Sequence, residues 1–249
     1  MGTTVFKDAK IFLKGFDLSG DHNDLGLNFS SEMLDATTFG NSTRIRKGGL
    51  KTADMSGSGF WQGGANEVDD ALFNRIGVDN ELMTLFGDGI NGGTTCAPGY
   101  AMKSVAASYN PGGSVGTLLP FTMTAMSESE LVRAIPLQNA TETALSTGAT
   151  NSTPVEVGAI ESGMKLYAGQ HGVEFATSTT GARLDMAVQN ASSSGASYNT
   201  VLNFTQLTAI GGEWGTPVTG PSSTDRTWWR IQSCSCGASV KALGWVGIQ

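Results

Sequence analysis

The chain has 249 residues, of which 39% are hydrophobic and only 15% charged, with a formal net charge of −7. That length admits one large β domain or two of about 120 residues each. The acidic balance excludes a cation-lined nucleic-acid clamp, which needs clustered Lys and Arg.

Gly counts 34, and with Ala, Ser and Thr it favours strands, turns and close backbone packing over long helices. The low charge suits either a neutral polar surface or one buried against other copies, since interface cores are depleted of charge. The N-terminus lacks a basic region followed by an apolar run, so no signal peptide is expected. No window approaches the roughly 18 apolar residues of a membrane span, so no membrane partner is expected.

In chain order, 10–16 (KIFLKGF) predicts a strand and 17–24 (DLSGDHND) a turn. Leu25, Leu27 and Phe29 alternate with Gly26, Asn28 and Ser30, the period of two of a half-buried strand, which continues through Met33, Asp35 and Thr37. Residues 40–49 (GNSTRIRKGG) predict a loop and 50–61 a second strand, with Gly57 and Gly59 permitting close backbone approach. A helix follows, with Asn66 as its cap, Glu67, Asp69 and Asp70 at its positive end, Gly77 as its stop and Val68, Leu72 and Ile76 as an apolar stripe. Residues 81–86 predict a strand or turn and 87–100 a Gly-rich loop. Strands are expected at 102–109 and 117–126, joined by an NPGG turn, and at 131–137.

The polar stretch 138–154 reads as a linker between a first domain, 1–137, and a second, 155–249. Within the second, 155–167, 172–175 and 182–188 predict strands, 200–207 a strand or helical turn, and 211–225 a loop. The end, 226–248, predicts a terminal hairpin turning at Gly237.

The two halves echo each other. Residues 53–76 lie over 184–207 without a gap, with Asp54 and Met55 on Asp185 and Met186, and Phe73 and Ile76 on Phe204 and Leu207. A duplicated unit would place two quasi-equivalent interfaces in one chain, so a closed ring would need half the usual number of subunits.

No nucleophile elbow, zinc helix, phosphate loop or paired-carboxylate motif is present; DGINGG lacks the GK[ST] ending. No enzyme activity, cofactor or metal is therefore expected. Cys96, Cys234 and Cys236 read as packing residues of a reducing compartment, because CxC supplies too few zinc ligands and His22 and His171 sit in unrelated contexts. His22 reads as a solvated turn histidine and Asp69 and Asp70 as helix-dipole partners. Of the neighbouring Trp228 and Trp229, one faces a core and the other solvent or a partner.

The runs KIFLKGFDLSG, SSEMLDATTFGNSTRIRKGGLKTADMSGSGFW and VDDALFNRIG, with the terminal DRTWWRIQ and SVKALGWVGI, resemble the major tail tube proteins of long-tailed bacteriophages. The resemblance is densest over the first third of the chain. It implies a mainly β fold, with tandem sandwich or barrel domains that each carry a short flanking helix. Sheets of neighbouring subunits would join around a lumen, and rings would stack into a tube that conducts DNA without binding it specifically. It further implies a stacking loop at 39–49, with Phe39, Asn41, Arg44, Arg46 and Lys47 joining ring to ring, and ring-wall strand residues Glu32, Leu34, Asp35 and Thr37. An N-terminal arm would also touch the adjacent ring. Such a chain would reside in the virion tail after synthesis in the host cytoplasm, with tape-measure, terminator and distal tail proteins as partners. Most members of that family form hexamers of one tube domain. A chain this long carries either an accessory domain or two tube domains forming a trimer that mimics a hexamer, which the internal echo favours. The competing readings are another virion β-protein, such as a capsid decoration or tail terminator, and a carbohydrate-binding β-sandwich.

Overall fold

A computed structural model of the chain describes residues 9–87, 99–145, 148–176, 181–221, 226–236 and 239–249. It is mainly β. The elements in chain order are β1 (Lys10–Leu13), β2 (Phe16–Asp17), β3 (His22–Asp35), β4 (Arg46–Phe60), α1 (Val68–Phe73), β5 (Glu81–Phe86), β6 (Gly99–Pro111), β7 (Pro120–Ser127) and β8 (Val132–Leu145). Then follow β9 (Gly148–Asn151), β10 (Val155–Glu156), β11 (Lys165–Phe175), β12 (Arg183–Ala191), β13 (Asn199–Asn203), β14 (Gly211–Trp214), β15 (Val218–Thr219), β16 (Trp228–Cys236) and β17 (Val240–Ile248). Among the described residues no helix is long and apolar enough to cross a membrane.

The chain divides into two compact units. One comprises Met1–Gly20, Glu81–Ala101 and Val132–Gln249, the other Asp21–Asn80 and Met102–Leu131. The second is drawn from two stretches that interrupt the first in sequence, so the units do not part at the 138–154 segment. That segment, expected as a linker, carries the second half of β8 and all of β9. Gln138, Asn139 and Ala140 lie opposite Gly244, Leu243 and Ala242 of β17. Its polar composition misleads because pairing with β17 satisfies the backbone there and overrides local propensity.

In the larger unit, β11 and β17 pair side by side over their whole length, with β8 on the far edge of β17 and β14 on that of β11. β12 lies between β13 and β16 in a separate sheet that β10 extends. Alternation gives each central strand two buried faces. Leu166 and Ala168 of β11 and Val240, Ala242 and Val246 of β17 join Leu184, Met186, Val188, Trp229 and Ile231 in one core. Tyr167, Leu243 and Trp245 point the other way, into a second core with Phe12, Leu82, Phe86, Ala101 and Ala134.

The terminal hairpin is not formed as expected. β16 and β17 pair with different sheets and face each other through Trp229, Ile231 and Val240. Both runs carry enough apolar residues to bury a face, so stacking competes with hairpin pairing. The turn expected at Gly237 lies outside the described residues. Residues 165–175 form one strand, not two, and the expected loop at 211–225 contains β14 and β15. Trp229 is buried and Trp228 half-buried, as the alternation requires.

The smaller unit is an antiparallel sheet in the order β3-β4-β7-β6, with α1 beside it. Ala53 and Met55 of β4, with Phe121, Met123 and Ala125 of β7, are buried, and α1 buries Val68, Ala71 and Leu72. The helix is shorter than expected. Glu67, not Asn66, is its N-cap residue and makes no side-chain cap bond. Ile76, expected on the apolar stripe, lies beyond the helix, half-exposed, in a bridge to Ala106. Gly77 does turn with a positive φ of 74°. Among the described residues α1 is the α-helix of the chain, and 199–203, the echo of its position, is a strand. The segment NTVLN pairs with β12 and buries Leu202, and its β-branched Thr200 and Val201 suit a strand. Phe73 and Phe204, aligned by the echo, differ likewise: one is exposed, the other buried. Met55 and Met186 are both buried on strands.

Candidate functional site

The longest pairing in the smaller unit is the hairpin of β3 and β4. Leu27 lies opposite Met55, Phe29 opposite Ala53, Ser31 opposite Lys51 and Asp35 opposite Arg46, with a bulge between Ser31 and Met33. β7 covers the other edge of β4 only from Asp54 to Phe60. Residues 46–53 therefore pair with β3 alone, and this part of the hairpin is a two-stranded ribbon. Burial stops with the third strand. Met55 and Ala53 are buried, whereas residues 50–52 and 32–35 are exposed on both faces.

That ribbon carries large apolar side chains in solvent. Met33 is 66%, Leu50 80% and Phe39 fully exposed, with Phe29, Leu34 and Ile45 about half-exposed. An ordered turn closes it. The Ala36 N–H donates to the Ile45 carbonyl (2.8 Å). The Ile45 N–H donates to Thr37 Oγ1 (2.9 Å), and the Thr37 N–H to Asp35 Oδ1 (2.9 Å). The Thr37 hydroxyl and N–H hold the Asp35 carboxyl below the usual carboxylate range. Asn41 Nδ2 donates to Thr38 Oγ1 (2.9 Å).

All nine residues singled out in the sequence lie on this ribbon and are exposed. Glu32, Leu34 and Asp35 are on β3; Phe39, Asn41 and Arg44 are in the turn. Two placements differ from expectation. Arg46 and Lys47 open β4, opposite Asp35 and Leu34, and are not loop residues; Thr37 sits past the end of β3. The strands run further because the ladder of β3 and β4 continues to Leu34/Lys47 and Asp35/Arg46, the last of which sets opposite charges across the strands. Among the described residues no ion pair engages Arg44, Arg46 or Lys47.

A second surface of this unit was not singled out in the sequence. Beyond the other end of β4, Trp61, Asp69, Phe73, Tyr109, Pro111 and Leu119 line an open, largely apolar groove of about 550 Å³. Asp69 Oδ1 accepts from Trp61 Nε1 (3.0 Å) and from the Tyr109 hydroxyl (2.9 Å). Burial and the Asp69 carboxylate push the Tyr109 phenol above its ordinary range. Asp69 and Asp70 stand in the first turn of α1, and the Asp69 carboxylate in addition ties two aromatic rings to the helix. Only the Trp61/Asp69 spacing is local in sequence; Tyr109 and Leu119 arrive through sheet pairing, which leaves no local signal.

His22 is half-buried at the start of β3, edge-on to Phe121 at 5.0 Å, not solvated in a turn. Its neighbour Asp21 is buried and accepts from Gln62 Nε2. In the larger unit His171 is completely buried. Its Nδ1 accepts the Gly15 N–H (3.0 Å), which places the proton on Nε2, 3.1 Å from Thr84 Oγ1. Burial, with Lys14 nearby, lowers its pKa to about 3. The ring is a neutral clamp between strands with no route to a substrate. Cys96, the side chains of Cys234 and Cys236, and the N-terminal arm through residue 8 lie outside the described residues.

No family model and no curated protein matches the chain. Among solved structures it is similar to a chain of the native gene transfer agent virion, at 16% identity and a TM-score of 0.41, over 52% of this chain and 97% of that one. It is similar to a chain of the sheath/tube terminator of an extracellular contractile injection system, at 12% identity and a TM-score of 0.42, over 53% and 96%. It is also similar to SPP1 Dit, a hub protein of the adsorption apparatus of phages infecting Gram-positive hosts, at 12% identity and a TM-score of 0.39, over 98% and 100%.

Proposed function

We propose that this chain is a structural, non-enzymatic protein of a phage-like virion tail that self-assembles through its β3–β4 ribbon into stacked rings forming a tube. The observation that carries the reading is the ribbon itself. A two-stranded ribbon with six large apolar side chains in water is marginal alone. Covering those side chains against another copy would contribute on the order of 5–10 kcal/mol gross, before the cost of association. The free edge of β3 and the two-sided exposure supply both a strand-pairing template and an apolar face. The sequence resemblance of 27–61 to tail tube proteins agrees with this use.

In the tube reading Glu32, Leu34, Asp35 and Thr37 belong to the ring wall, and Phe39, Asn41, Arg44, Arg46 and Lys47 join one ring to the next. The lumen passes DNA without specific binding, as a net charge of −7 suits. Tail terminator, tape-measure and distal tail proteins meet the tube at its ends and lumen. The tandem reading expects three copies per ring, each contributing two wall segments.

The test is negative-stain microscopy of the purified chain, with native mass for the ring count. Stacked rings with a central hole are expected. Reversing Arg44, Arg46 and Lys47 to Glu together is expected to stop stacking while the far-UV and near-UV CD spectra stay unchanged. A monodisperse monomer that binds glycans would overturn the reading in favour of a carbohydrate-binding module.

A further inference from the structure

The ribbon tip and the aromatic groove are complementary in kind. The tip presents a fully exposed Phe39 among Arg44, Arg46 and Lys47, with Lys51 further along β4. The groove presents Trp61, Phe73, Tyr109 and Leu119, with Phe73 70% exposed and the Asp69 carboxylate in its lining. Asp70 lines the adjoining hollow that shares Asp69 and Phe73, and Glu67 is the N-cap residue of the same helix. Asp69 already accepts from Trp61 and Tyr109, and Asp70 Oδ2 accepts the Asn66 N–H (3.1 Å). Such contacts leave each carboxylate with further acceptor capacity, since an ionised carboxylate has about four lone-pair sites.

A chain does not fill its own groove. Arg46 opens β4 and Trp61 directly follows its last residue, Phe60, and the strand has 15 residues. At about 3.3 Å per residue its ends are roughly 46 Å apart along the strand. Tip and groove therefore stand at opposite ends of one long strand. A tip that enters a groove enters that of another copy, and the same contact can then repeat. A heterologous contact of this kind builds a closed ring or an open stack according to its rotation.

We propose that the tip of one copy docks in the groove of the next, with Phe39 against Trp61, Phe73 and Tyr109, and with Arg44, Arg46 and Lys47 facing Glu67 and Asp70. This rests on the self-assembly reading and names the receptor surface within it. A buried aromatic anchor rimmed by opposite charges is the form in which a small interface concentrates its binding energy and its specificity.

The test uses the full chain in the assembly assay, wild type alongside each variant. The groove variants E67K/D70K and, separately, F73E are expected to raise the concentration needed for assembly at least about tenfold. A single chain combining R44E/R46E/K47E with E67K/D70K is expected to assemble again, which separates lost docking from lost folding. A benzophenone amino acid at position 39 is expected to cross-link, between copies, to a peptide within 61–73. If wild type forms no rings or tubes, the self-assembly reading falls and this docking with it. If wild type assembles while the groove variants assemble equally well, or the cross-link maps outside 61–73, the groove is not the receptor and the self-assembly reading stands.

Discussion

His171 accepts the Gly15 N–H at Nδ1, a bond that requires a neutral ring, and its folded pKa of about 3 lies below the unfolded value of 6.5. Between those values the unfolded chain carries a proton that the folded chain does not, so stability rises with pH. The contribution is fully present above about pH 6.5 and is lost as pH falls, at about 1.4 kcal/mol per unit. Urea midpoints at several pH values between 4 and 7.5 should show a slope that H171Q, which lacks the titration, flattens. Gly169 is a second fixed point, because a Cβ there would sit 2.5 Å from the Trp245 indole. Gly169→Ala is expected to cost about 1–3 kcal/mol through overpacking, measured by thermal melting. Neither residue stood out in the sequence. The histidine and the first glycine of GQHGV carry no local mark of burial; their partners are Gly15 between β1 and β2, Thr84 of β5 and Trp245 of β17.

At the scale of elements, the β3–β4 hairpin was the most legible feature, since period-two alternation and a polar turn are local signals. Its length was not. The basic residues that suggested a loop are strand residues, because cross-strand pairing with Asp35 and Leu34 outweighs their composition. The ribbon's stability is expected to differ along its length. In the monomer, amides of 46–52 should exchange on the order of 100-fold faster than those of 54–60, which β7 also holds. In assembled material the two segments should exchange alike, and equal rates in the monomer would contradict the two-stranded description. Helix α1 was foreseen in place but not in extent. Val68 and Leu72 are buried as their spacing demands, while Ile76 joins Ala106 instead, a sheet contact the helical period cannot encode.

At the scale of the whole molecule, the proposed docking predicts how assembly would respond to salt. An attraction of Arg44, Arg46 and Lys47 to carboxylates would be screened as the Debye length shortens from about 10 Å at 0.1 M to about 3 Å at 1 M. Light scattering should therefore show the concentration needed for assembly rising with NaCl, and the R44E/R46E/K47E/E67K/D70K chain should show the same dependence. If salt instead promotes assembly of wild type, apolar burial alone governs the contact.

Taken by itself, the sequence determined the mainly β character, the strand–turn–strand order of the ribbon and the position of α1. All of these rest on periodicity and composition within a few neighbouring residues. Tertiary structure alone decided the rest. The smaller unit is assembled from two separated stretches, β16 and β17 stack across a core where a hairpin was expected, and the polar 138–154 segment is paired strand. The groove at Asp69 gathers residues from β6, the loop before β7 and α1. The physical reason is common to all of them. Strand partners and opposed faces are chosen by long-range pairing and burial, whose energies depend on residues far apart in the chain and leave no trace in local order.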